Sequence, residues 1–212
     1  MRPIFVTGIG TDVGKTIVAA IITEALQANY WKPVQAGISG GTDSEWVRTM
    51  LTNPESRIIP ETYRLEMAAS PHIAARSAEK NIQLGAISEY FSINIPSNNL
   101  LVIEGAGGLM VPLNEREFVH DLIRLLNARV IIVSRNYLGS INHSLLTATV
   151  CRAYQLDVLG WIFNDQYLDY ENEIARWSGY PAIASIPRAN EVNKDFILQQ
   201  AARIKPALNQ LV

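Results

Sequence analysis

The stretch GIGTDVGKT, residues 8 to 16, decides how the rest of the chain is read. It ends in Gly14-Lys15-Thr16, as does the phosphate-binding loop G-x-x-x-x-G-K-[ST]. The spacing departs from that pattern. Ile9 stands where the first glycine belongs, and Gly8 lies one residue too far upstream. The flanking sequence settles whether this matters. PIFVTG before it is a short apolar run that reads as a strand, and TIVAAIITEAL after it carries apolar residues at helical spacing. Strand, glycine-rich loop and helix in that order are what a phosphate cradle requires. Backbone N–H groups and the helix dipole then point at the anion. Lys15 reaches the β- and γ-phosphates, and the Thr16 hydroxyl is placed to meet Mg²⁺. A loop one residue longer still presents its amides, so the stretch reads as a phosphate loop of extended form.

Working outward, the chain of 212 residues suits one domain, 1–212, with a full core. It is 48% hydrophobic and 18% charged, with net charge −2 and no run of Lys or Arg. That balance argues against nucleic acid and anionic membrane as partners. Cys151 is the single cysteine, so no disulfide forms within the chain. The first residues lack the apolar core of a secretion signal, and no apolar run reaches the roughly 18 residues of a membrane span. The expected location is the cytoplasm.

Short apolar runs recur at 3–7, 30–34, 99–104, 129–134, 158–163 and 182–186. Several are apolar at nearly every position, as strands covered on both faces are. Helical patterns lie between them at 16–28, 117–127, 140–155, 169–178 and 193–208. The alternation predicts an α/β, three-layer, P-loop NTPase-like fold with a mostly parallel central sheet flanked by helices. Residues 35–98 break the rhythm with the glycine-rich AGISGGTDS, a helix near 43–52, the turn-like NPESRIIPE and a helix starting in SPHIAARSA. They read as an elaboration of the same domain.

Three further residues are candidates for chemistry. Glu104 ends the strand LLVIE before the flexible GAGG, at the strand edge where ligands bind. Asp43, in GGTDSE, reads either as a helix N-cap or as a second metal carboxylate. Lys32, in YWKPVQAG, reads either as a solvated lysine or as a cation that neutralises a transferring phosphoryl group.

Together these stretches make the chain resemble the dethiobiotin synthetase family. The matching pieces are FVTG…TDVGKT, KPVQAG, TDSE, SPHIAA, VIEGAGGLMVPL, LGSINHSLLT and WIFND, in that order over most of the length. The family's loop has five residues between its glycines, which makes Gly8 the first one. The resemblance implies an ATP-dependent ligase that joins CO₂ to 7,8-diaminopelargonate through a carbamic–phosphoric anhydride, with Mg²⁺ as cofactor and ATP as co-substrate. It implies that Lys32 and Lys15 are catalytic. It places nucleotide on Asp12, Val13, Gly14, Lys15, Thr16, Ile17, Asp43, Glu104, Gly105, Ala106, Gly107, Asn164, Asp165, Pro187, Arg188 and Ala189. Metal falls to Thr16, Asp43 and Glu104. Substrate falls to Thr11, Lys32 and Ala36, and, across a homodimer interface, to Gly139, Ser140, Ile141 and Asn142. Read without the family, Ser140 would cap a helix, Asn164 would be an ordinary polar residue after a strand, and Cys151 would be core.

The chain departs from the family where Ala36 replaces a serine or threonine, with Gln35 and Ser39 as candidate substitutes for the lost hydroxyl. Two other readings compete. A partition or septum-site switch ATPase would carry a lysine at position 10, where this chain has Gly10. A cobyrinic-acid-type amidating ligase would need a glutaminase domain, for which this chain is too short.

Overall fold

The computed structural model describes residues 1–95, 99–165 and 168–211. Residues 96–98, at the end of the 35–98 segment, lie outside that set. The elements run in the order β1 (Ile4–Gly8), α1 (Lys15–Leu26), β2 (Asn29–Trp31), β3 (Val34–Ala36), α2 (Asp43–Met50), β4 (Ile58–Ile59), β5 (Tyr63–Leu65), α3 (Pro71–Ser77) and α4 (Leu84–Asn94). They continue with β6 (Leu101–Gly108), α5 (Val119–Leu125), β7 (Arg129–Arg135), α6 (Ser140–Ala153), β8 (Val158–Asn164), α7 (Glu171–Ser178), β9 (Ala182–Ile186) and α8 (Lys194–Asn209).

Seven strands form one sheet in the order β4-β2-β6-β1-β7-β8-β9, and every pairing in it is parallel. From β1 the chain builds toward one edge through β2 and β4. After β6 it crosses to the other side of β1 and builds β7, β8 and β9. The phosphate loop leaves β1 at this reversal, where open α/β sheets leave a crevice at the carboxyl ends of their strands.

Successive strand residues point to opposite faces, and the two faces carry separate cores. Ile4 and Val6 join Val18, Ile21, Tyr30, Val102 and Ile204 on the face covered by α1 and α8. Phe5 joins Trp31, Ile103, Ile132, Trp161 and Phe163 on the opposite face, with Leu122 of α5 and Ala148 of α6. The fold is therefore the three-layer parallel α/β arrangement expected.

The 35–98 segment holds what the alternation of apolar runs does not reveal. The run at 30–34 is not one strand. Pro33 lacks an N–H, so β2 stops at Trp31 and β3 begins a separate two-stranded parallel sheet with β5. Ile58 and Ile59, within the turn-like stretch, pair with β2 as the sheet's edge strand. The helix α4 was not expected; its Leu84 and Ile87 are buried.

Gly160 in β8 has φ of 150°, and a Cβ there would lie 2.4 Å from the Pro181 carbonyl oxygen. Gly160→Ala is expected to destabilise the protein by about 3 kcal/mol, lowering Tm by about 8 °C. Thermal unfolding checks this, and a shift under about 2 °C would mean that the strand relaxes freely.

Candidate active site

The carboxyl ends of β1, β6 and β2 meet at one edge of the sheet. At that edge lies a cleft of about 970 Å³. Its lining includes Thr11, Asp12, Gly14, Lys15, Thr16, Ile17, Lys32, Ala36, Asp43, Glu104, Ala106 and Gly107.

The loop is built by its glycine. Gly14 has φ of 90°, and a Cβ there would fall 2.0 Å from the Asn164 side-chain nitrogen. Asn164 Nδ2 donates to the Val13 carbonyl at 3.0 Å, which fastens the back of the loop to the end of β8. Helix α1 begins at Lys15 with no side-chain cap, so its first N–H groups remain available to an anion. Lys15 Nζ donates to the Gly10 carbonyl at 2.8 Å. Burial pulls its pKa down to about 8, against the opposing charge of Glu104. A phosphate in the loop would add negative charge beside this ammonium.

The metal candidates converge. The Thr16 hydroxyl lies 3.1 Å from Asp43 Oδ1 and 2.8 Å from Glu104 Oε1. Lys32 Nζ donates to Glu104 Oε1 at 2.9 Å and also to Asp43 Oδ2. Tyr30, which was read only as part of an apolar run, donates its hydroxyl to Glu104 Oε2 at 2.7 Å. Lys32 is 6% exposed and Glu104 1%, so these are buried charges that survive by pairing. Burial alone would lower the Lys32 pKa, but Glu104 and Asp43 outweigh it and hold it above the ordinary value. Burial, reinforced by the Glu104 charge, pushes the Tyr30 phenol well above its ordinary value.

Asp43 is not the N-cap. Thr42 is, in a capping box with Glu45 that satisfies the first turn of α2. Relieved of capping, Asp43 at the first helical position turns its carboxylate to Thr16 and Lys32. Two carboxylates and one hydroxyl form the hard-oxygen set that suits Mg²⁺, with phosphate and water oxygens completing the shell. Among the described residues no group of three or more His, Cys, Asp or Glu could by itself hold a metal ion.

Other candidates lie elsewhere. Val13 and Gly105 are buried behind the cleft lining. Asp165 meets the Arg135 guanidinium at 3.2 Å, and Pro187, Arg188 and Ala189 follow β9 beside it, where the Asp165 amide bonds to the Ile186 carbonyl. Gly139, Ser140, Ile141 and Asn142 open α6 and do not line this chain's cleft. Gly139, at φ of 105°, is the N-cap in place of Ser140. The Ser140 side chain turns inward, its hydroxyl 2.8 Å from that of Tyr170, and its backbone N–H donates to the Tyr137 carbonyl at 3.0 Å, so the residue is buried. Cys151 is core, as expected, with burial pushing its thiol to about 12.

Sequence reasoning did not assign Gly40, Gly41, Ala68, Ala69, Ser70, Pro71 or Val111 to the cleft, yet they line it. The glycine-rich loop and the SPHIAA stretch were the available signals. Gln35 and Ser39 also line it. The Gln35 amide donates to the Gly37 carbonyl at 2.9 Å and accepts from Asp43 N at 3.3 Å, whereas Ser39 is exposed. Beside the loop, a hollow of about 370 Å³ is lined by Gly10, Met110, His143 and Leu146. Leu146 and Met110 in its lining are exposed, as is Leu138 just before α6.

Residues 2–195 match the family described as AAA domain. An ATP-dependent dethiobiotin synthetase of Cytophaga hutchinsonii is 44% identical over 205 residues, covering 96% of this chain and 97% of the relative. One from Christiangramia forsetii is 38% identical, covering 98% of each. Among solved structures, the MinD cell division protein of Aquifex aeolicus aligns with TM-score 0.60 at 13% identity, over 99% of this chain and 97% of that one. A ParA family ATPase from Chlorobium tepidum aligns with TM-score 0.57 at 14% identity, over 99% of this chain and 93% of that one. At such identities these two show the shared fold alone.

Proposed function

The chain belongs to the ATP-dependent dethiobiotin synthetase family, and on that premise we propose how its residues divide the work. The reaction is an ATP-dependent ring closure forming C–N bonds. The substrates we assign are 7,8-diaminopelargonate, CO₂ and ATP, handled in one domain spanning 1–212. One amine takes up CO₂ and loses a proton, giving a carbamate. A carbamate oxygen attacks the γ-phosphorus, and ADP leaves. The second amine then attacks the carbonyl carbon of the carbamic–phosphoric anhydride, phosphate departs with the electrons of the broken C–O bond, and the nitrogen loses its proton to solvent.

The observation that carries this reading is the buried network of Lys32, Thr16, Asp43 and Glu104 at the mouth of an uncapped phosphate loop. Lys15 and the amides of residues 12–17 bind the phosphate tail. Thr16, Asp43 and Glu104 would hold Mg²⁺, which supplies neutralisation of the phosphate oxygens when bound. Lys32, held protonated by two carboxylates, offsets charge on the transferring phosphoryl group and the carbamate. Gly105, Ala106 and Gly107 border the nucleotide. Asn164 spends its N–H on Val13, leaving its carbonyl oxygen to accept from the adenine amine. Asp165, Pro187, Arg188 and Ala189 flank the base.

The chain acts as a homodimer in this proposal. Exposed Leu138, Leu146 and Met110 give an apolar surface next to the uncapped start of α6. Gly139, Ile141 and Asn142 would meet the diamine's carboxylate in the other subunit's site, as a helix N-terminus favours an anion, with buried Ser140 holding the helix start through Tyr137 and Tyr170. No described helix is long and apolar enough to cross a membrane, and we place the enzyme in the cytoplasm. The switch-ATPase alternative has only the fold in its favour.

Thr11 and Ala36 would border the diamine. Ala36→Ser restores a hydroxyl, typically worth about 1 kcal/mol, and is expected to lower the diamine KM about fivefold. An unchanged KM would mean that Ser39 already supplies the bond. The function itself is tested by incubating Mg·ATP, bicarbonate and 7,8-diaminopelargonate with the protein. Dethiobiotin detected by mass spectrometry, absent when any one component is omitted, is expected. ATP hydrolysis that ignores the diamine would refute it.

A further inference from the structure

We propose that Tyr30 is a positioning residue that fixes the orientation of the Glu104 carboxylate for metal binding. The proposal rests on the metal role given to Glu104 above. The register of β2 on β6 sets Tyr30 beside Val102. Glu104 lies two residues further along, on the same face, diagonal to Tyr30. Most side chains do not span that diagonal; the phenol does, and its hydroxyl donates to Glu104 Oε2 at 2.7 Å.

This bond divides the carboxylate. Oε2 is occupied by the phenol, while Oε1 receives Thr16 and Lys32. The terminal torsion of a glutamate is broad and roughly two-fold, so an untethered carboxylate rocks between orientations. Tyr30 has no such freedom. It is 0% exposed in the core formed with α1, among Val18, Ile22 and Val102. Packing alone does not ask for its hydroxyl, because phenylalanine would fill the same space. The hydroxyl is a polar group carried into that core, and Glu104 is the partner that offsets its desolvation. A buried donor behind a metal-binding carboxylate is the kind of outer partner whose loss weakens metal binding without touching the other ligands.

The test is Tyr30→Phe, with thermal unfolding to verify the fold. Binding of a fluorescent ATP analogue is titrated with Mg²⁺ for the wild type and the variant, and repeated in EDTA. The expected result is a rise of about 10-fold in the Mg²⁺ concentration at half-saturation, with affinity in EDTA unchanged. A merely structural role would shift both affinities together or neither, and either pattern would overturn the proposal. Wild-type binding that ignores Mg²⁺ would remove the metal role of Glu104 and this inference with it. A Mg²⁺-dependent wild type matched by the variant would remove this inference alone.

Discussion

Lys32→Ala is expected to cut dethiobiotin formation about 1000-fold while MgATP still binds within a few-fold of wild type. The side chain is 8% exposed and pinned between Asp43 and Glu104. In the proposed reaction its charge is therefore preorganised where negative charge would gather on the phosphoryl group and carbamate. Such charges are worth far more in place than in solvent. In the proposed division of roles nucleotide binding rests instead on Lys15 and the loop amides, which the substitution leaves in place. Removing the ammonium also frees two carboxylates that can take Mg²⁺, so the nucleotide loses little. Steady-state turnover and equilibrium nucleotide binding, measured together, separate the two effects. Turnover near wild type would exclude a catalytic role, and parallel loss of ATP affinity would make Lys32 a nucleotide ligand.

Glu104→Ala is expected to cut Mg²⁺-dependent turnover about 100-fold or more, and to do so more severely than Asp43→Ala. Glu104 is the hub: Thr16, Lys32 and Tyr30 all bond to it, and it is 1% exposed. Truncation leaves a buried hydroxyl without an acceptor and Lys32 with one carboxylate instead of two, at a cost of about 2 kcal/mol in stability. The Asp43 side chain keeps 32% of its surface in solvent, so water replaces it more readily. Mg²⁺ titration of activity and thermal melts of both variants check the ranking. Wild-type Mg²⁺ dependence in both would remove the metal assignment.

The parts of the site legible in the sequence are those encoded locally. Strand, loop and helix around residues 8–16 each have their own signature, so the extended loop could be read despite Ile9. Glu104 could be read because a strand-end acid followed by glycines needs no distant partner to be noticed. What escaped was set by pairing across the sheet. Tyr30 finds its acceptor 74 residues away, and Asn164 finds Val13 151 residues away. Neither contact leaves a mark in the local pattern. Asp43 was ambiguous because Asp and Thr both cap helices; Thr42 won through its reciprocal bond with Glu45, and that freed the acid. The run at 30–34 misled because apolar content outweighed Pro33, whose missing N–H ends the strand. The inward turn of Ser140 depends on Tyr170, which belongs to the residues just before α7 and could not be foreseen from the start of α6.

In the proposed reaction ATP activates a carbamate oxygen by phosphoryl transfer. The direct measurement is turnover with ¹⁸O-labelled bicarbonate, 7,8-diaminopelargonate and Mg·ATP, followed by mass analysis of the released phosphate. One labelled oxygen from bicarbonate should appear in phosphate for each dethiobiotin formed. Dethiobiotin formed with unlabelled phosphate, or phosphate released at the same rate without the diamine, would mean that no carbamate oxygen is phosphorylated on the way to product.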